Sequence, residues 1–169
     1  GNSDRISELF SDEKYPMLNR AVQCGYPPGS VFKPVTATAA LENEKISPMR
    51  TLYCSGLYFL GGKIFRCWRE KGHGALTMRE AIKHSCNVYF YQLGRIVGAE
   101  AIADFAVKYG FSRPTGIDLP GEIGGLVPNR MWKLLRKREP WYEGETLNFA
   151  IGQGFLLVTP VQILRMTAA

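Results

Sequence analysis

The chain has 169 residues, 46% hydrophobic and 12% aromatic, with 18 Gly and 10 Pro, which is the make-up of one folded domain and not of a disordered or fibrous polymer. Its 21 Lys and Arg against 15 Asp and Glu give a net charge of +6, yet no aromatic RNA-binding strand or helix-turn-helix accompanies that excess, so no nucleic-acid partner is expected. The longest apolar stretch, Asn148 to Val161, is broken by Gly, Gln, Thr and Pro and falls short of the ~18 uninterrupted apolar residues of a membrane-spanning helix.

The chain opens on Gly-Asn-Ser with no secretory pattern behind it, and residues 1–14 read as a leader or as the cut edge of a longer chain. Gly25-Tyr26-Pro27-Pro28-Gly29 is the first strong boundary. Ser30 to Asn43 then carries the Ala, Thr and Leu of a buried helix, with Pro34 near enough to its start to be tolerated, which sets Ser30 at a helix N-terminus. From Thr51 to Trp68, apolar and aromatic residues flank Gly61-Gly62, a two-residue hairpin turn. Thr77-Met78-Arg79-Glu80 is a capping box that opens a helix to about His84, and a second helix follows Asn87 as far as Gly98.

Glu100 to Tyr109 repeats the pattern, stopped by Gly110; short strands are expected near Gly116 to Leu126. Asn129 caps a basic helix that ends before Pro140, and Thr159-Pro160 starts a last one. The basic helix holds Arg130, Lys133, Arg136, Lys137 and Arg138 with Glu139 as its only nearby acid, and reads as a solvated face; an anionic envelope polymer is the alternative partner. Six helices and one hairpin make a mainly α fold with a small β-hairpin.

Ser30-Val31-Phe32-Lys33 places a hydroxyl and an amine three residues apart, on one face of a helix. Serine is a weak nucleophile, and lysine serves as its base only when burial and nearby positive charge lower the amine's pKa. The same spacing at Ser11-Asp12-Glu13-Lys14 lies among acids that keep Lys14 protonated, so Ser11 reads as a solvated helix cap. Ser85-Cys86-Asn87 falls in the break between two helices. Alternation along an extended segment would point Ser85 and Asn87 one way and Cys86 the other.

Cys54, Cys67, His73 and Cys86 follow the spacing C-x12-C-x5-H-x12-C, three thiolates and an imidazole, a permitted tetrahedral zinc set. With Gly61-Gly62 as the turn, Cys67 faces Gly56 and Cys54 faces Arg69, leaving the two cysteines diagonal neighbours. Such positions are about 7–8 Å apart, long for a disulfide and suited to two ligands of one ion. Disulfides and inert buried thiols stay open as alternatives. Cys24 reads as a core thiol, and His84 as a helix-end histidine rather than a base. A zinc ligand at Cys86 would pin the Ser85 to Asn87 segment to the hairpin.

These motifs, in this order, resemble those of the penicillin-recognising serine transpeptidases, with S-x-x-K at Ser30 to Lys33 and S-x-N at Ser85 to Asn87. Asn19-Arg20-Ala21, Tyr26 through Pro34, Tyr89 to Gln92, Thr115 to Leu119, Trp141, Ile151-Gly152-Gln153-Gly154 and Thr159-Pro160-x-Gln162 narrow the resemblance to the class B penicillin-binding protein 2 group. The resemblance implies a D,D-transpeptidase acting on peptidoglycan stem peptides. Ser30 would be the nucleophile, Lys33 its base, Ser85 a proton relay and Asn87 a hydrogen-bonding partner of Lys33 and the substrate. β-Lactam antibiotics would acylate Ser30. The chemistry would need no cofactor, and some group members carry a structural metal at the positions of the cysteine cluster.

The resemblance also implies the bacterial cell envelope, at the outer face of the inner membrane. Its expected partners are a membrane-embedded cell-wall glycosyltransferase and the elongation machinery. Residues 15–169 are expected to be a partial transpeptidase domain, the helical part of the penicillin-binding protein and serine β-lactamase-like fold without most of its central antiparallel sheet. No Lys-Thr-Gly occurs in the 169 residues. In the family that third motif binds the substrate carboxylate and completes the oxyanion hole, where one lost donor costs about 10²- to 10³-fold in rate, so little activity is expected of this stretch alone. A serine β-lactamase or β-lactam sensor is the alternative within the superfamily, and a zinc-stabilised non-catalytic module the alternative outside it.

Overall fold

Caps and helix-stopping glycines set most boundaries in the computed structural model, which describes residues 2–169. Helix α1 (Asn2–Ser11) and the short α2 (Arg20–Gln23), capped by Asn19, precede a 3₁₀ turn at Gly29–Phe32 that runs into α3 (Lys33–Glu42). Four strands follow: β1 (Leu52–Cys54), β2 (Leu57–Leu60), β3 (Lys63–Arg66) and β4 (Gly74–Leu76). Helices α4 (Met78–Lys83), α5 (Asn87–Val97), α6 (Ala99–Lys108), α7 (Arg130–Lys137), α8 (Glu143–Ala150) and α9 (Pro160–Ala168) complete the chain. Thr77 and Glu80 form the expected capping box of α4, and Asn129 and Thr159 cap α7 and α9. No described helix is long and apolar enough to cross a membrane.

Several expectations need correction. Ser30 lies in a 3₁₀ turn, and the α-helix begins only at Lys33. Ser11 ends α1 rather than capping a helix start. The strands expected near Gly116 to Leu126 reduce to a single bridge between Leu126 and Leu157. Glu122 takes that backbone instead, accepting hydrogen bonds from the N–H groups of Thr115 (2.6 Å) and Gly116 (3.0 Å), which closes a loop.

The hairpin β2–β3 forms around Gly61-Gly62 with Leu57 opposite Arg66 and Leu60 opposite Lys63, and Cys67 N–H donates to Gly56 O (2.8 Å) in the same register. Cys54 does not extend that ribbon to Arg69. Gly56 turns at φ 97, and β1 leaves to pair with β4, placing Cys54 opposite Gly74. Two two-stranded antiparallel sheets replace one ribbon.

The core lies where α3, α5, α6 and α8 meet, and Phe32, Tyr89, Phe90, Ile102, Phe111 and Phe149 are fully buried within it. Burying each such side chain contributes about 1.5–3 kcal/mol. Gly94 lets α5 approach α8 closely, since a Cβ there would collide with that of Ala150. Helix α7 reverses the usual pattern. Lys133 is 1% exposed while Leu134 and Leu135 are 54% and 71% exposed, so the basic cluster is not wholly a solvated face.

Candidate functional site

A 3₁₀ turn has three residues per turn, so side chains at i and i+3 eclipse, and Ser30 and Lys33 stand one above the other. The turn is seated from below: Gly29 N–H donates to Gly152 O (2.9 Å), and Phe32 stacks on Phe149 with centroids 5.6 Å apart. Gly152 sits at φ 74, and a Cβ there would strike Gly29 O and come within 2.8 Å of Phe32 Cβ. Only glycine fits beneath the turn.

Lys33 is buried, and its Nζ donates three hydrogen bonds, to Ser85 O (2.8 Å), Ser85 Oγ (2.9 Å) and Asn87 Oδ1 (2.8 Å). Burial lowers its pKa to about 8, against a partial upward pull from the Cys86 and Cys67 sulfurs. Ser30 is exposed, and its hydroxyl makes no hydrogen bond among the described residues. Lys33, Ser85 and Asn87 therefore converge on one point, with the Ser30 hydroxyl one turn away and free to meet a ligand.

Ser85 reaches Lys33 through the end of α4. Ser85 N–H donates to Ile82 O (3.0 Å) and Cys86 N–H to Ala81 O (2.9 Å), the two bonds of a Schellman closure. The residue at its left-handed position is usually glycine; here it is Ser85, at φ 49. A side chain held in that conformation costs of order 1–3 kcal/mol, a strain typical of functional sites. Ser85 and Asn87 thus face Lys33 while Cys86 turns to the other cysteines, by a helix-end turn rather than by strand alternation.

Behind this segment, the ligand atoms of Cys54, Cys67, His73 and Cys86 all lie within 4.8 Å of one another. His73 Nδ1 is 3.6 Å from Cys54 Sγ and 3.5 Å from Cys67 Sγ, and Cys67 Sγ is 4.0 Å from Cys86 Sγ. Tetrahedral ligands about 2.3 Å from zinc stand about 3.8 Å apart, so these spacings match an ion at the centre. They do not match a disulfide, and the four cysteines of the chain are free.

The surroundings suit metal ligands. Burial, together with the nearby charges of Arg69, His84 and Lys33, holds His73 below its usual pKa and so neutral. Burial alone would raise the Cys67 thiol, but backbone N–H groups of Arg69, Val88 and Asn87 outweigh it and hold the pKa below the ordinary value. Burial pushes Cys86 up, an unfavourable setting for a thiolate that a bound cation reverses. Cys86 also caps α5, its Sγ accepting from Tyr89 N–H at 3.4 Å. Cys24 is half-buried outside the cluster. His84 stacks on His73 at 6.0 Å, on the sulfur side of the segment and not at Lys33.

A family model described as penicillin binding protein transpeptidase domain matches residues 2–169. The chain is 38% identical over 164 residues to the peptidoglycan D,D-transpeptidase MrdA of Escherichia coli, covering 96% of this chain and 26% of that protein. It superposes on Pseudomonas aeruginosa PBP2, solved in complex with WCK 5153, with a TM-score of 0.93 at 36% identity, covering 98% of this chain and 37% of the other. Helicobacter pylori PBP2, solved in complex with MreC, gives 0.90 at 39% identity, covering 95% and 30%. The chain spans about a quarter of the length of MrdA.

Proposed function

This chain belongs to the penicillin-binding protein transpeptidase domain family, and on that premise we propose that it carries the acyl-enzyme chemistry of a peptidoglycan D,D-transpeptidase, with Ser30 as nucleophile. The observation that supports this most directly is Lys33, a buried amine with a pKa of about 8, hydrogen-bonded to Ser85 and Asn87 and one 3₁₀ turn from an exposed serine. At pH 7 roughly a tenth of such an amine is neutral, against well under a thousandth for an ordinary lysine.

Neutral Lys33 takes the Ser30 proton as Oγ attacks the penultimate D-alanine carbonyl of a stem peptide. Collapse of the tetrahedral adduct breaks the peptide C–N bond, and the departing D-alanine amine receives a proton from Ser85 Oγ, which Lys33 replaces. The amine of a second stem peptide then attacks the ester and reverses the proton path, forming the cross-link. Asn87 holds Lys33 in place and offers its amide to the substrate backbone. β-Lactams enter at the first step and acylate Ser30.

Cys54, Cys67, His73 and Cys86 are the residues that would hold zinc, which when bound supplies a rigid cross-link and no reaction chemistry. Fixing Cys86 fixes Ser85 and Asn87 on either side of it. We assign residues 15–169 to the helical part of the domain, with the central sheet and a Lys-Thr-Gly strand supplied by sequence outside the 169 residues. The whole protein then works at the outer face of the bacterial inner membrane, beside a membrane-embedded glycosyltransferase and the elongation machinery. The likeness to PBP2 solved with MreC supports that setting.

The test is release of D-alanine by the full-length protein from a stem pentapeptide ending in D-alanyl-D-alanine. Ser30→Ala is expected to abolish release and Lys33→Ala to lower it at least about 10²-fold. Release that persists in Ser30→Ala overturns the assignment. Cys86→Ser is expected to lose zinc by mass spectrometry and to slow penicillin acylation; lost zinc with unchanged acylation breaks the link between metal and site.

A further inference from the structure

Lys133 is the second deeply buried lysine, and no step of the proposed reaction uses it. It lies on α7 with 1% of its side chain exposed. Its Nζ is 2.5 Å from Glu145 Oε1 and 3.4 Å from Glu139 Oε2, and it stands 4.3 Å from the centroid of the Tyr142 ring. Burial alone would lower its pKa, but Glu145 and then Glu139 outweigh that and hold its ammonium above the ordinary value.

Glu145 is engaged at both oxygens. While Oε1 holds Lys133, Oε2 accepts the Tyr142 N–H at 2.7 Å, closing the first turn of α8 in the manner of a capping box. One carboxylate therefore fixes the start of α8 and fastens it to α7. The next turn is held too, by Trp141 Nε1 donating to Thr146 Oγ1 at 2.8 Å.

The far end of α8 supports the nucleophile turn. Thr36 Oγ1 donates to Ala150 O (2.9 Å), Phe149 stacks on Phe32, and Gly152, two residues past the helix, accepts the Gly29 N–H. Those contacts fall before, between and after Ser30 and Lys33 on the chain, at Gly29, Phe32 and Thr36. Helix α8 has eight residues, a rod about 12 Å long, so a shift or rotation at its anchored start arrives at Gly152.

From this chain of contacts we infer that the Lys133–Glu145 ion pair is a positioning device for Ser30, setting the placement of α8 and through it the seat of the Gly29–Phe32 turn. The inference rests on the proposed role of Ser30 as nucleophile. Desolvating a lysine for a partner that stays 22% exposed adds little net stability, so the pair suits geometry better than stability. Displacing a reacting atom by about 1 Å can cost about 10²-fold in rate.

The experiment is stopped-flow acylation of the full-length protein by a fluorescent penicillin, well below the melting temperature of every variant. It separates the saturating rate constant from the half-saturating concentration and counts the fraction labelled at completion. Lys133→Met is expected to lower the saturating rate constant about 10- to 100-fold while leaving half-saturation within about twofold and the labelled fraction near one. Lys133→Arg, which keeps the charge, is expected to recover most of the rate. Glu145→Gln keeps an acceptor for the Tyr142 N–H while removing the charge, and is expected to behave as Lys133→Met, so the test survives if Lys133→Met does not fold.

Wild-type rates in Lys133→Met or Glu145→Gln overturn the inference. So does a deficit that the loss of labelled fraction fully explains, since that is lost stability alone. Ser30→Ala run alongside separates the two claims: label retained there refutes the nucleophile assignment, whereas label lost there with normal rates in the Lys133 and Glu145 variants refutes only the positioning role.

Discussion

Lys33 shows how burial and hydrogen bonding divide the work on one side chain. Burial lowers its pKa to about 8, and the three acceptors around Nζ aim it at Ser85 and Asn87. The base form is the deprotonated one, so the acylation rate is expected to rise with pH up to about 8 and then level off. Asn87→Asp would set a carboxylate 2.8 Å from the amine, favour its charged form and move that rise to higher pH. A stopped-flow pH series with penicillin checks both, and a profile flat from pH 6 to 9 contradicts the base assignment.

The grouping of Lys33 with Ser85 and Asn87 was legible only through the family resemblance, since the two short motifs lie 52 residues apart and nothing local joins them. The burial of Lys133 was not. Glu145 is twelve residues away, beyond Pro140, and nothing local distinguishes Lys133 from its exposed neighbours Arg136 and Lys137.

Helix ends do most of the positioning among the elements. The Schellman closure of α4 presents Ser85, the first turn of α5 presents Asn87, and the Gly152 turn after α8 seats Gly29. Gly152→Ala is expected to destabilise the protein by about 1–3 kcal/mol and to slow acylation, because the new methyl meets both Gly29 O and Phe32 Cβ. Thr77→Ala removes a cap at the opposite end of α4 from Ser85 and is expected to cost about 1 kcal/mol in urea melts with acylation little changed.

Caps and glycines gave away α4, α5, α6, α7 and α9 in advance. Helix α8 stayed hidden because Gly144 lies at its second position and Tyr142 precedes it where a Ser, Thr, Asp or Asn cap is usual. The 3₁₀ turn at Ser30 was hidden for another reason: hydrophobic spacing over four residues does not separate a 3₁₀ turn from an α-helix.

Across the molecule, two assemblies meet at the Ser85 to Asn87 segment. The ribbons β1–β4 and β2–β3 deliver Cys54, Cys67 and His73 to its back, and the α3, α5 and α8 core delivers Lys33 to its front. That Cys54, Cys67, His73 and Cys86 come together was expected from residue type and spacing, with disulfides and free thiols as the alternatives. The pairing of β1 with β4 was not: Ser55-Gly56 is a turn dipeptide that could have separated β1 from the hairpin, but nothing local tells β1 that its partner lies twenty residues on at Gly74–Leu76. His73→Ala in the full-length protein is expected to remove one zinc per chain by mass spectrometry and to lower the melting temperature. Full zinc content in that variant contradicts the four-ligand site.

The proposed reaction requires that Ser30 become the acyl-enzyme. It is tested most directly by peptide mapping of the full-length protein after brief exposure to benzylpenicillin. The expected result is a penicilloyl adduct on the peptide containing Ser30, stoichiometric in the wild-type protein and absent from Ser30→Ala. An adduct on another residue, or one that survives in Ser30→Ala, contradicts it.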